Sequence, residues 1–452
     1  MSIPLKLIPI AALISTTLVQ DCDTGDDDDD GGTPAPFTDC SDQTKDFWAY
    51  DFSVMPPIMT QVPATCRLEG GHTYVYVADD QWETNVTAED VETVLTAYER
   101  ETPEGSIDPG TGMYQNDVTV FGEPPDELDN DPKIYLFFMD IKDYVNDEGD
   151  VYSFDGYFGY WDQYPDEVVQ AQTFGRYHSN EVEMVYLNAR IRPITDDLTL
   201  SVIAHEFQHL ISWEYDEDEE TWMSESLAEV AMLVNGYYTD TAWVQDYADW
   251  PGYPLVTNAG VNYGACLLWG MYLYEQIGQD FMFPLEREPA DGITGLDRAL
   301  NAYGSDESFE TLFADWTVAN LVRDPMEARY GYAFGDVPDM AREAVLSDAA
   351  NGFENELYDY GVDYIDVDPA GSPLTLHVDS DHPDDLLVRL VEWDAGVMVD
   401  IVDPVADGSS GVVSVVLDPA TSDTSWTVVV SYMDPAAVDT DQRLNYSVWM
   451  ER

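Results

Sequence analysis

The apolar positions change period three times along the chain. Thr73–Val77 (TYVYV) is β-branched and aromatic and predicts a strand. Ala88–Arg100 sets Val91, Val94, Leu95 and Tyr98 at helical spacing. Lys133–Met139 (KIYLFFM) is apolar on both faces, as a central strand would be. Tyr152–Pro165, rich in Tyr, Phe, Gly and Asp, reads as a loop, and Val182–Leu187 (VEMVYL) as a further strand. Between Thr195 and Arg323 the period becomes helical. Helices are expected near 197–214, 221–235, 263–277, 293–302 and 306–322, with Gly236, Gly278 and Gly304 as stops behind three of them. After about Asn355 come short alternating runs: TLHV, LLVRLVEW, VMVDIV, GVVSVVL, WTVVVSYM and LNYSVWM. Asp, Gly and Pro turns separate them, which predicts an antiparallel β-sandwich over residues 355–452.

The first 40 residues have no such pattern of buried positions. Lys6 precedes an apolar run from Leu7 to Val19, too short to span a bilayer comfortably but suited to an export signal over residues 1–21. Cys22 follows directly, as in a bacterial lipoprotein signal where that Cys is lipidated, although Asp21 stands where a small residue is expected. Residues 22–40 contain the run Asp26–Asp30 and read as a flexible acidic tether. The protein is therefore expected to be exported, as a cell-surface lipoprotein or in secreted form. Export permits a disulfide, for which Cys40 and Cys66 are the candidates. Cys266, in an apolar helical stretch, reads as a buried small hydrophobe.

Composition narrows the function classes. Of 452 residues 90 are acidic and 17 basic, a net charge of −73. No electrostatic footprint for nucleic acid or for an anionic membrane surface is present, so membrane contact is expected only through an N-terminal lipid. Disorder is excluded by 45% apolar and 13% aromatic residues. Residues 356–452 alone carry 20 acidic and 3 basic side chains, so the acid is a general surface property and not a tail. Such a surface favours a soluble monomer and suits salty surroundings.

Only six His occur in the chain, and two lie in HEFQH, residues 205–209. On a helix His205 and His209 share one face a turn apart and can bind one metal, with Glu206 beside them to reach a water. Asp196 or Asp197 can cap that helix. A catalytic zinc takes a third protein ligand and keeps one position open. Glu225, in the helical stretch TWMSESLAEVAMLVNG, meets that need if the two helices pack antiparallel. Glu229 lies one turn further on and is placed to accept a hydrogen bond from a ligand imidazole.

HEFQHLI followed by WMSESLAE resembles the gluzincin metallopeptidases, and among them the hyicolysin-like neutral zinc metallopeptidases. SNEVEMVYLNA (residues 179–189) and NYGACLLWGMYLYEQIG also look like that group, and the resemblance covers about residues 65–325. It departs at Ser224, where Asn is usual, and at Ser226, where Gly is usual. It implies an α+β chain: a zincin-type metallopeptidase domain at 41–354, with a mixed sheet and a helical subdomain, ahead of the sandwich. It also implies one catalytic Zn2+ held by His205, His209 and Glu225, with Glu206 as general base and Glu229 behind a ligand His. Enzymes of this kind commonly stabilise the oxyanion with a Tyr or His, and the candidates are Tyr263 and His178. An edge strand would hold the substrate backbone. The acidic run EYDEDEE (214–220) is a candidate for Ca2+, although it lacks the Gly of an EF-hand loop.

The function expected is an exported zinc-dependent endopeptidase acting on protein or peptide. Two others stay open: a cell-surface binding lipoprotein with an inactive peptidase scaffold, and a metallohydrolase of non-peptide substrates.

Overall fold

The computed structural model describes residues 36–451 except 127, 147, 238–241, 258–259, 325–328, 335–336, 348–351, 405–410 and 435–442. The expected export signal at 1–21, Cys22 and Asp26–Asp30 lie outside the described residues.

The N-terminal half is built on one mixed sheet. β1 (Thr38–Asp39), β2 (Thr44–Asp51) and β3 (Ile58–Glu69) lead into β4 (Thr73–Ala78). β1, β2 and β4 all pair with β3 antiparallel. Two helices, α1 (Ala88–Glu99) and α2 (Met113–Phe121), cross to β5 (Ile134–Met139), which lies parallel to β4. A small hairpin of β6 (Tyr144–Val145) and β7 (Val151–Tyr152) precedes β8 (Gly156–Phe158), α3 (Asp166–Gln172) and β9 (Met184–Asn188). The strand order is β1-β3-β4-β5-β9-β8. β9 is parallel to β5, and β8 closes the edge antiparallel to β9. Side chains of alternate residues fill two cores. Val75, Val77, Leu136, Phe138, Val185 and Leu187 face the helices, while Tyr76, Phe137, Met184 and Tyr186 face Phe47 and Ala49 of β2. Cys40 and Cys66 are disulfide-bonded within that second core.

The stretch 152–165 differs from the loop expected there. It holds the end of β7, all of β8 and a 3-10 turn at Tyr160–Gln163. Three residues beginning with Gly are too few to carry a periodic signal, yet β8 is held by its pairing with β9.

The helical body comprises α4 (Asp197–Tyr215), α5 (Thr221–Val234), α6 (Ala242–Asp249), α7 (Tyr263–Ile277), α8 (Met282–Glu286), α9 (Gly292–Tyr303) and α10 (Phe309–Val322). Asp196 caps α4 by accepting the Leu198 N–H. α4 runs under β8 and β9 and carries Val202, Ile203, Phe207 and Leu210 into the core. α5 and α7 meet at Gly270, where a Cβ would stand 2.4 Å from the Ser226 carbonyl oxygen. That contact brings the segment after HEFQH against the helix that begins with Tyr263.

The C-terminal strands are β10 (Ala344–Leu346), β11 (Phe353–Tyr358), β12 (Val362–Val367), β13 (Leu374–Ser380), β14 (Leu386–Asp394), β15 (Val397–Val402), β16 (Val413–Leu417), β17 (Thr424–Tyr432) and β18 (Arg443–Glu451). They form two sheets, β10-β12-β17-β14-β15 and β11-β18-β13-β16, that pack as a sandwich around Leu376, Val378, Val428, Val430 and Val448. The sandwich starts before 355, since β10 and the first two residues of β11 belong to it. One of its pairings, β10 with β12, is parallel. The outer face of the first sheet is buried as well. Tyr360, Val362, Tyr364, Val391 and Val429 share a core with α10, and the Tyr364 hydroxyl donates to the Thr317 carbonyl at 2.7 Å.

Candidate metal centre

α4 places His205 and His209 one turn apart, and α5 brings Glu225 to them. Their ligand atoms converge. His205 Nε2 and His209 Nε2 are 3.2 Å apart, and Glu225 Oε2 lies 3.2 Å from the first and 3.6 Å from the second. Three ligands at zinc's usual bond lengths in a tetrahedral shell would stand about 3.3 Å from one another. Glu225 Oε2 is also buried without a hydrogen bond of acceptable geometry. Two imidazole nitrogens and a carboxylate oxygen so arranged are a borderline-soft donor set that fits zinc.

Polar side chains stand behind the other ring nitrogens. Ser224 Oγ is 3.2 Å from His209 Nδ1. A proton on Nδ1 donated to that hydroxyl leaves Nε2 free as a ligand. Ser224 is thus a site residue that sequence reading passed over, treating it only as a departure from the family pattern. Glu229 Oε1 stands 3.7 Å from His205 Nδ1, in ion-pair range but longer than a hydrogen bond. Burial opposes charge on His205, yet Glu225, Glu206 and Glu229 outweigh it and lift the ring to about 9. Burial likewise opposes charge on Glu225, but His209 and His205 hold its carboxyl well below the usual range.

Glu206 is buried beside the three donors. Burial raises its pKa, against the pull of His205 and His209. The Phe158 backbone amide of β8 lies near enough to offset part of that rise. Gly156 permits this approach. A Cβ there would stand 2.8 Å from Val202 Cγ1, 2.9 Å from the Tyr186 carbonyl oxygen and 3.2 Å from Glu206 Cγ.

His205, Glu206, Glu229 and Tyr263 line a cleft of about 560 Å3 whose other walls are largely apolar, among them Val202, Met232, Trp243 and Leu267. Tyr263 opens α7, and its ring packs 5.4 Å from that of Trp243. Burial, then Glu225, Glu206 and Glu229, keeps its hydroxyl protonated far above the ordinary range. It is therefore a donor and not a base.

His178 is not part of the cleft lining. It stacks on Trp48 at 3.8 Å and bonds to Asp166 at 3.2 Å, so the structure removes it as an oxyanion candidate. His72 pairs with Glu99, and His377 meets Ser414 and stacks on Trp449. In the run 214–220, Glu219 accepts the Gly292 N–H at 2.7 Å and Glu220 accepts from the Trp222 indole at 2.6 Å. Asp216 and Asp218 bring carboxylate oxygens within 4.8 Å of one from Asp291, a partner no spacing in the sequence pointed to. Three such oxygens are fewer than the roughly six to eight that calcium takes.

No family model matches the sequence, and no curated protein does. Among solved structures, the pre-peptidase C-terminal domain of collagenase from Bacillus anthracis is similar at 10% identity and a TM-score of 0.19, over 25% of this chain and 100% of that one. Aeromonas hydrophila PliG, a periplasmic lysozyme inhibitor of g-type lysozyme, is similar at 12% identity and a TM-score of 0.17, over 25% of this chain and 98% of that one. A mutant of the Escherichia coli PliG gives 12% identity and a TM-score of 0.16, over 24% and 98% of the two chains. Likenesses this distant bear on neither the metal centre nor the reaction.

Proposed function

We propose that this chain is a zinc-dependent endopeptidase of the zincin type. The observation that carries the reading is the convergence of His205 Nε2, His209 Nε2 and Glu225 Oε2 to within 3.2–3.6 Å, with the buried carboxylate of Glu206 alongside. His205, His209 and Glu225 would hold the ion. Zinc bound there would supply a Lewis acid for a peptide carbonyl and a more acidic water. Glu206, raised by burial, takes the proton of the attacking water and returns it to the leaving amine. Tyr263, a protonated donor in the same cleft, would stabilise the oxyanion. β8 is an edge strand beside Glu206, and its free edge is suited to an extended peptide backbone.

Export is part of the same reading. The leader-like residues 1–22 and the Cys40–Cys66 disulfide support it. The mass of the mature N-terminus would separate a lipidated Cys22 from a freely secreted chain.

The decisive experiment pairs metal analysis with a casein or peptide assay. One zinc per chain is expected, with activity lost to a chelator and restored by zinc. Glu206→Ala is expected to keep the metal and to lose about 100-fold or more in kcat. Unchanged proteolysis in that variant, or a chain that purifies with full activity and no metal, would sink the proposal.

A further inference from the structure

A second cavity, of about 340 Å3, lies farther along α4; Glu183, Gln163, Trp213, Glu214 and Glu217 are among its lining residues. Glu183 is the unusual group. It sits just ahead of β9, is 0% exposed, and neither of its carboxylate oxygens takes a hydrogen bond. Gln163 Nε2 is buried and unpaired beside the same cavity. A buried carboxylate with no partner is costly, and a positive group brought to it removes that cost. Neighbouring side chains make the need greater. Burial, with Asp129, Asp126 and Asp131 adding to it and the residue's own backbone N–H opposing it, raises Glu183 to about 7.

The surroundings suit an organic cation better than a bare ion. Among the described residues Glu183 belongs to no group of three metal-donor atoms within 4.8 Å. The cavity falls in the size range of pockets for organic ligands. Trp213 offers an indole for cation–π contact. Glu214 and Glu217 are exposed, and Glu217 accepts the Tyr164 hydroxyl at 2.9 Å. Two oxygens on one buried carboxylate can accept a guanidinium in the bidentate manner, or an ammonium singly.

The pocket also has a fixed relation to the metal centre. Trp213 follows Glu206 by two turns of α4, so both lie on one face about 10 Å apart. The segment 156–164 runs beside that stripe. At Gly156 it lies against Glu206, the Phe158 and Tyr160 rings lie 6.2 and 5.8 Å from Trp213, and Tyr164 reaches Glu217.

We propose that the Glu183 pocket takes the guanidinium or ammonium end of a basic side chain in the substrate peptide. An extended peptide covers about 10 Å in about three residues, so the basic residue lies about three positions from the cleaved bond. Assigning that side chain to a substrate rests on the peptidase reading; capture of the cation does not.

Calorimetric titration of the full zinc-loaded chain tests the capture. The probes are the N-acetyl amides of arginine, lysine and citrulline, the last a neutral counterpart of arginine. At least one cationic amide is expected to bind about tenfold or more tightly than the citrulline amide. Glu183→Gln keeps the shape and is expected to erase that ratio, with a melting temperature no lower than that of the parent. Glu217→Gln at the rim is expected to shrink the ratio a few-fold. Equal binding of the three amides, or a ratio that survives Glu183→Gln, overturns the proposal. So does calcium binding that is lost in Glu183→Gln while the amides do not bind. Cleavage profiling on a peptide library then separates the two readings. Cleavage without preference for a basic residue removes the substrate assignment. Cation binding with no cleavage of any peptide removes the peptidase reading and supports the pocket.

Discussion

Ser224 and Glu286 illustrate how much one polar side chain can set. Ser224 precedes Glu225, a proposed zinc ligand, and places its hydroxyl 3.2 Å from His209 Nδ1. Its removal should leave α5 intact and free the imidazole to turn. Ser224→Ala is expected to lower zinc affinity about 10- to 100-fold, read by titration against a competing chelator. An unchanged affinity would mean that packing alone orients His209. Glu286 is 4% exposed, and its Oε1 accepts from Gln208 and Ser212 while Oε2 accepts nothing. Burial, tempered by Ser212 and reinforced by Glu219 and Asp216, pushes its carboxyl up to about 8. The folded state therefore favours the protonated form. That contribution to stability is complete below the unfolded value of 4.5 and is lost as pH rises through about 8. Glu286→Gln mimics the protonated acid. Melting curves should match those of the parent near pH 4.5 and lie higher at pH 9, by roughly a few kcal/mol in stability. A less stable variant at pH 9 would show that charge on Glu286 is not what limits the parent there.

Among the elements, the one-turn spacing in HEFQH and the apolar stripe beside it made α4 readable, and the helical runs after it gave α5, α7, α9 and α10 close to their observed ends. Their signal is local, because a helix closes its own hydrogen bonds. The short helices α2, α3, α6 and α8 went unread, and the rest of what stayed hidden was made by pairing at a distance. The hairpin of β2 with β3 is held by β3's pairing with β4 and by a core shared with Tyr76 and Phe137. β10 and β12 pair in parallel with no turn between them to announce it. The site divides in the same way. His205, Glu206, His209 and Glu225 were visible because metal chemistry restricts residue type and spacing. Ser224's role, the loss of His178 from the cleft and the partnership of Asp291 with Asp216 depend on three-dimensional approach. Helix approach itself can be tested at Gly270, where a Cβ would stand 2.4 Å from the Ser226 carbonyl oxygen and 2.9 Å from Val230. Gly270→Ala is expected to push α5 away from α7, costing about 1–3 kcal/mol and lowering zinc occupancy with it. A variant that melts early yet binds zinc as tightly as the parent would uncouple the helix contact from the metal.

For the whole molecule, a net charge of −73 on a folded chain means strong self-repulsion at low ionic strength. Salt screens it within about 10 Å at 0.1 M and less at higher concentration. The melting temperature is therefore expected to rise by several degrees between low salt and about 1 M sodium chloride. A falling melting temperature over that range would mean that specific ion pairs outweigh the repulsion. One pair spans the two halves of the chain. Arg389 of β14, 6% exposed, bonds Asp315 of α10 and Asp403 after β15, and so ties the sandwich to the helical body where screening reaches least.

The outer face of the sandwich, with Tyr360 set 5.6 Å from both Phe309 and Phe313, also bears on how such a chain can evolve. A module that shares its hydrophobic interior with its neighbour is not freely exchangeable. Swapping it for another sheet would require a matching set of aromatic and aliphatic contacts on α10, and deleting it would leave that helix a greasy, aggregation-prone flank. The two halves are thus bound to change together, residue against residue.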